Sequence, residues 1–253
     1  RKQNHGVTMT RYAQRTLLQQ PSIANWGKAA PAGIGYGVAT GGTAFPTPPA
    51  GYAGLSFTTD DTLVVTTGGL FDILLVAAGG QGGNHSAPGA GGAGGVMIVT
   101  AYLAAGTYTV DIGAANAAHN SMAFGTTIGT QNTGLSVAGG GSGATVGFTA
   151  TGYPGGSGGG GFIAQYGAVG VVLQGNNGAI GGGGATAAGS GATGGAGLTT
   201  SFTGVSATYG VGGSYTGQAT GTAGANNTGN GGNGGTTAGG LGGTGYAAVR
   251  WEV

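Results

Sequence analysis

The sequence predicts a mainly β fold with almost no α-helix, in which a β-sandwich-like N-terminal part is joined to a glycine-rich bundle of polyglycine-II helices. Three observations carry this. Apolar and β-branched residues between about 55 and 112 fall in short runs or alternate with a period of two. Glycine supplies 67 of the 253 residues and crowds the second half. Charged residues make up only 4% of the chain, while 39% is hydrophobic, a balance unlike that of a disordered segment.

Residues 1–54 read as a basic leader followed by an extended anchoring arm. Arg1, Lys2, Arg11, Arg15 and Lys28 all lie there, and Arg11 to Leu18 could form two helical turns ending before Pro21. Gly33-Ile34-Gly35-Tyr36-Gly37 and Pro46-Thr47-Pro48-Pro49 favour turn or extended backbone. Arg11, Tyr12, Arg15, Trp26 and Lys28 are the candidates for anchoring the chain to a partner.

Residues 55–150 read as β-rich. Thr62 to Thr66 and Leu70 to Val76 are aliphatic runs separated by Gly68-Gly69, and Val96 to Val99 follows a glycine-rich loop. Tyr108, Val110 and Ile112 alternate with Thr107, Thr109 and Asp111, as a sheet with one buried face requires. Residues 246–253 alternate again, which predicts a C-terminal strand rejoining the β-rich part.

Residues 151–245 carry the densest glycine runs, where helix and ordinary strand are both disfavoured. An ordered solution is left-handed extended helices, which turn once in three residues and make no internal hydrogen bonds, so every buried N–H must bond a neighbouring run. In this arrangement Asn230, Asn233, Leu241 and Thr244 point outward or into gaps. Collagen is excluded because no long Gly-X-Y register is kept and Pro154 is the only proline after Pro88.

Composition excludes several functions. A formal charge of +1 gives no electrostatic footprint for nucleic acid. No apolar run approaches the roughly 18 residues of a membrane span. With no cysteine there is neither a disulfide nor a thiolate metal site. Gly155-Gly156-Ser157-Gly158-Gly159 mimics a nucleophile elbow, but no histidine follows it. Gly89-Ala90-Gly91-Gly92-Ala93-Gly94 mimics a dinucleotide fingerprint, yet strand residues follow where a helix is needed. His5, His85 and His119 are scattered, and Asp60-Asp61 reads as a solvated turn. The expectation is therefore no enzyme, no cofactor and no metal.

Segments Gly69-Leu70-Phe71-Asp72-Ile73-Leu74-Leu75-Val76, Gly91-Gly92-Ala93-Gly94-Gly95-Val96-Met97-Ile98, Ala105-Gly106-Thr107-Tyr108-Thr109-Val110-Asp111-Ile112 and Gly245-Tyr246-Ala247-Ala248-Val249-Arg250-Trp251 resemble the glycine-rich domain of tail fibre and minor tail proteins of tailed bacteriophages. The resemblance covers about residues 55 to 253 and implies a virion location and a polyglycine-II bundle like that of phage adhesins. It also implies partners: other virion proteins and a host-surface glycan or envelope protein, with a homo-oligomer such as a trimer left open. Phe162, Tyr166, Phe202, Tyr209 and Tyr215, set in neutral surroundings, are the receptor-contact candidates, against the alternative that they fill the ends of the bundle. A capsid-decorating protein without receptor contact is the rival reading, and an ice-binding protein a minor one.

Overall fold

The computed structural model describes residues 35–253 apart from 85, 87, 116–124, 130–133, 146–150 and 163–165. The candidate anchor residues Arg11, Tyr12, Arg15, Trp26 and Lys28, and all three histidines, lie outside the described residues. The strands all belong to the unit Tyr36–Val253.

The structure is mainly β, with no α-helix among the described residues. Strands β2 (Thr43–Ala44), β3 (Tyr52–Phe57), β12 (Tyr246–Glu252), β5 (Gly69–Val76) and β6 (Val96–Leu103) lie side by side in that order in one sheet. Strands β1 (Val38–Thr40), β4 (Asp61–Thr67), β7 (Gly106–Asp111), β8 (Thr126–Ile128) and β9 (Leu135–Val137) form the second. Every strand pair is antiparallel, and β12 runs between β3 and β5 with Val249 opposite both Leu55 and Ile73.

The period-two pattern explains why the sheets meet. Leu63 and Val65 of β4, Val110 of β7 and Val137 of β9 share one core with Phe71, Ile73, Leu75, Val249 and Trp251 of the first sheet. Phe71 meets Trp251 edge to face at 5.8 Å, the arrangement that ring quadrupoles favour. Thr126 ties the layers: its buried hydroxyl donates to Val76 O at 2.8 Å and accepts from Gly113 N at 3.1 Å.

The other face of the first sheet is also apolar, and a small hairpin covers it. Strands β10 (Leu198–Thr200) and β11 (Ala207–Tyr209) carry Phe202 and Tyr209 onto Leu74, Val76, Val96 and Ala248. Arg250, on the same face, donates to Asp72 at 3.2 Å and to Phe202 O at 3.1 Å. Its guanidinium lies 4.5 Å from the Tyr52 ring centroid and 4.4 Å from that of Phe202, a cation held between two rings.

The glycine runs pack as extended helices bonded to one another, and run 89–95 lies at their centre. Ala90, Gly91 and Gly92 donate to Ile180, Gly232 and Gly141; one turn later Ala93, Gly94 and Gly95 donate to Gly183, Gly229 and Ala138. Successive amides thus address three different runs with the three-residue repeat of the extended left-handed helix. Its carbonyls accept from three more runs: Ala77, Gly80 and Gly83 on one side, Ser157 and Gly160 on another, and Gly213 on a third.

Glycine is required here by distance. A Cβ at Gly91 would lie 2.0 Å from Gly80 O, and one at Gly94 only 1.9 Å from Ala77 O. Ala90 and Ala93, also fully buried, mark the one position in three where a methyl group fits. The same x-Gly-Gly spacing recurs in Ala78-Gly79-Gly80-Gln81-Gly82-Gly83 and Asn230-Gly231-Gly232-Asn233-Gly234-Gly235. Both of these runs, and run 89–95, bond within the same lattice, which therefore draws on residues before 150 as well as after it.

The expectation that Asn230 and Asn233 point outward or into gaps needs refinement. Asn230 Oδ1 accepts from Val211 N at 2.9 Å and Asn233 Oδ1 from Ser214 N at 2.8 Å, three residues apart on both runs. Gly231 N and Gly234 N donate back to Val211 O and Ser214 O, so each asparagine side chain and the amide after it grip the same residue of the neighbouring run. Leu241 does face solvent, at 42% exposure.

Replacing Gly91 with alanine should destabilise the protein by about 3 kcal/mol, because the blocking atom is backbone that cannot rotate away. Ala93→Gly should cost only about 1 kcal/mol, and Leu241→Ala less than about 0.5 kcal/mol. Urea denaturation of the three variants checks the order. Amide exchange should find residues 90–95 protected up to the global unfolding limit.

Candidate functional site

A single turn carries three of the four most exposed large apolar side chains among the described residues, the fourth being Val253. After the chain leaves Tyr166, Val171 N donates to both Gly155 O and Gly156 O, fixing the outgoing arm to the bundle. Gln174 N and Gly175 N then both donate back to Val171 O at 3.1 Å, closing a tight turn over Val172 and Leu173. Leu173 adopts φ 67, a left-handed conformation that costs a leucine roughly 1–2 kcal/mol. Leu173 is 93% exposed, Val172 81%, Val169 62% and Tyr166 40%.

The return arm is held as firmly. Gln174 Oε1 accepts from Ala138 N at 2.8 Å, Gln174 O accepts from Val96 N at 2.9 Å, and Asn177 Oδ1 accepts from Gly170 N at 3.1 Å. Asn176 Nδ2 donates to Gly184 O and Ala185 O. The turn is thus a fixed projection with an aliphatic tip. Leaving two such side chains in water forgoes about 1.5–3 kcal/mol each. An outlying conformation at a wholly exposed apolar residue does nothing for the core and points to contact with something else.

The five aromatic candidates divide. Tyr166 borders the turn at the surface, and Phe162 is half-buried nearby in sequence. Tyr215 is partly buried, with its hydroxyl donating to Ser86 O at 3.3 Å. Phe202 and Tyr209 are 3% and 6% exposed, so in this chain they are core residues and offer no contact surface. The physical reason is that Leu74, Val76 and Ala248 make the outer face of the first sheet apolar, and the hairpin's rings are what cover it. Sequence reading favoured aromatics and passed over Val169, Val172 and Leu173; the available signal was Val171-Val172-Leu173, an aliphatic run set alone among glycines.

Other chemistry is sparse. Ser157 is wholly buried inside the lattice, its hydroxyl without a hydrogen-bond partner, and no histidine or carboxylate faces it among the described residues. Asp60 Oδ1 accepts from Ile112 N and Asp61 Oδ1 from Thr62 N, both at 2.7 Å, which is the role of turn carboxylates. No cluster of three or more metal-ligating side chains occurs among the described residues. Arg250 and Asp72 form an ion pair at 3.2 Å with side-chain exposures of 22% and 15%, and Thr100 Oγ1 adds a 2.6 Å bond to Asp72. This group fastens the hairpin to the sheet.

The family model of the glycine-rich domain matches residues 56–252. That interval begins within β3 and ends on the last residue of β12, two strands paired side by side. No curated protein and no solved structure matches the chain.

Tyr209 of the hairpin and Tyr246 of the sheet stack at 5.4 Å, and burial pushes both phenols above their ordinary value of 10.0, Tyr246 the further. The folded state therefore keeps both neutral where the unfolded chain ionises. Their contribution to stability is complete below pH 10.0 and declines as pH rises above it toward the folded values. The unfolding midpoint should fall more steeply above about pH 10 in the wild type than in Tyr246→Phe, measured by thermal melts across an alkaline series.

Proposed function

The chain belongs to the glycine-rich domain family, and we propose that it is a virion structural protein at the tail tip or tail fibre of a tailed bacteriophage, presenting the Val169–Leu173 turn to a host receptor. It works by binding, without catalysis. The observation that carries the reading is the turn itself: two highly exposed aliphatic side chains, one in a strained conformation, on arms bonded at both ends to the lattice.

Such a tip loses little freedom on association, so the usual ordering cost is small and the burial of Val172 and Leu173 appears as affinity. Between Ile112 and Val249 the chain has no Asp, Glu, Lys or Arg, so specificity must come from shape, hydrogen bonds and apolar contact in place of charge. Among host-surface partners this favours an envelope protein with an apolar recess, with Tyr166 at the rim supplying an amphipathic ring. The leader residues Arg11, Tyr12, Arg15, Trp26 and Lys28 supply attachment to the other virion proteins in this scheme.

Labelled protein applied to a panel of bacterial cells should bind a subset, with affinity little changed between about 50 and 500 mM salt, since few charges steer the encounter. A double variant, Val172→Ser with Leu173→Gly, should lose about 10- to 100-fold in affinity, equivalent to the full burial of about one aliphatic side chain shared between the two. Its melting temperature should not fall, because glycine relieves the positive φ at 173. Wild-type binding to no cell, together with normal adsorption of particles lacking the protein, would reject the receptor role in favour of decoration.

A further inference from the structure

The four edges of the two five-stranded sheets differ sharply. β2 has two residues, and β1 and β9 have three each, lengths that offer no template to another strand. β6 has eight, Val96-Met97-Ile98-Val99-Thr100-Ala101-Tyr102-Leu103, with no charge, proline or glycine, and it pairs with β5 along its whole length without a bulge. Beyond Val96, no charge, proline or bulge protects this edge, and no strand covers it among the described residues.

The direction of its backbone groups follows from its ends. Ala77 N donates to Gly95 O, while Val96 N is turned away from β5 and donates to Gln174 O. Antiparallel alternation then directs the N–H and C=O of Ile98, Thr100 and Tyr102 away from β5, and among the described residues no partner strand meets them. Gln174 occupies the first position, so the open edge runs from 97 to 103. Thr100 is its midpoint.

We infer that a second copy of this chain pairs with β6 through its own β6, antiparallel about Thr100, joining the two sheets into one across a two-fold axis. The edge is self-complementary in that register. Thr100 meets Thr100, Ile98 meets Tyr102 on the outer face, and on the inner face Met97 meets Leu103 while Val99 meets Ala101. A β-branched residue against an aromatic is a favourable cross-strand pair, and no like charges are brought together. Ile98, 46% exposed in the single chain, is covered by this arrangement. An isologous contact of this kind closes on two copies and leaves no further long edge open among the described strands.

Two variants of the full chain test this. Ile98→Pro removes an outward N–H without touching the ladder to β5, since that N–H points away from it. Thr100→Cys places the chain's only thiol on the proposed axis, where directly opposite Cα atoms lie about 5.5 Å apart, within disulfide reach. Sedimentation should give the wild type twice the mass of one chain at micromolar concentration. Ile98→Pro should sediment as one chain with an unchanged circular dichroism spectrum. Mild oxidation should convert Thr100→Cys to a covalent dimer, whereas Thr199→Cys, on the exposed face of β10, should stay uncrosslinked. A monomeric wild type would overturn the inference and leave the edge to a strand from a different protein. So would a dimer that survives Ile98→Pro while Thr100→Cys fails to cross-link.

Discussion

Everything in this structure depends on backbones approaching closely enough to bond one another without a strand ladder. An extended helix with three residues per turn satisfies none of its own amides, so each N–H must be answered from a neighbouring run. Every amide from Ala90 to Gly95 is answered in this way, and the run gives bonds to three neighbours and takes bonds from three others. The packing leaves no room for Cβ atoms at two positions of every three, as the 1.9–2.0 Å approaches at Gly91 and Gly94 make plain. Glycine's usual entropic penalty is accepted because any other residue would break contact between runs.

The lattice and the sheets share strands instead of merely touching. β5 continues as run 77–83 and β6 begins where run 89–95 ends, so the central run of the bundle is the connection between two adjacent strands of the sheet. On the return, Gly245 N donates to Gly113 O just before β12 enters between β3 and β5. Arg250 then uses the one ion pair seen among the described residues, plus two ring faces, to hold the hairpin against the sheet.

A scaffold so fully bonded shapes what its surface can do. The turn that carries Val172-Leu173 is fastened next to its tip, by Val171 on one side and Gln174 on the other. A rigid neutral turn and a long uncharged strand edge are both surfaces that recognise by fit and backbone bonding. They occupy neighbouring parts of the fold, since Gln174 at the base of the turn caps the first amide of β6.

The sequence alone determined strands β4 to β7 and β12, their inner faces and the presence of an ordered glycine bundle, because each rests on local periodicity: two residues for Tyr108, Val110 and Ile112, three for the glycine runs. What it could not determine was which runs neighbour which, and therefore which side chains are left outside. Phe202 and Tyr209 look like Tyr166 in sequence, yet the hairpin buries the first two because the outer face of the first sheet is apolar, a property assembled from β5, β6 and β12 together. Likewise Ala90 and Ala93 are indistinguishable from other alanines among glycines until six surrounding runs make theirs the central helix. Local pattern fixes the backbone form of a segment; only the long-range pairing of N–H with C=O decides what surrounds it.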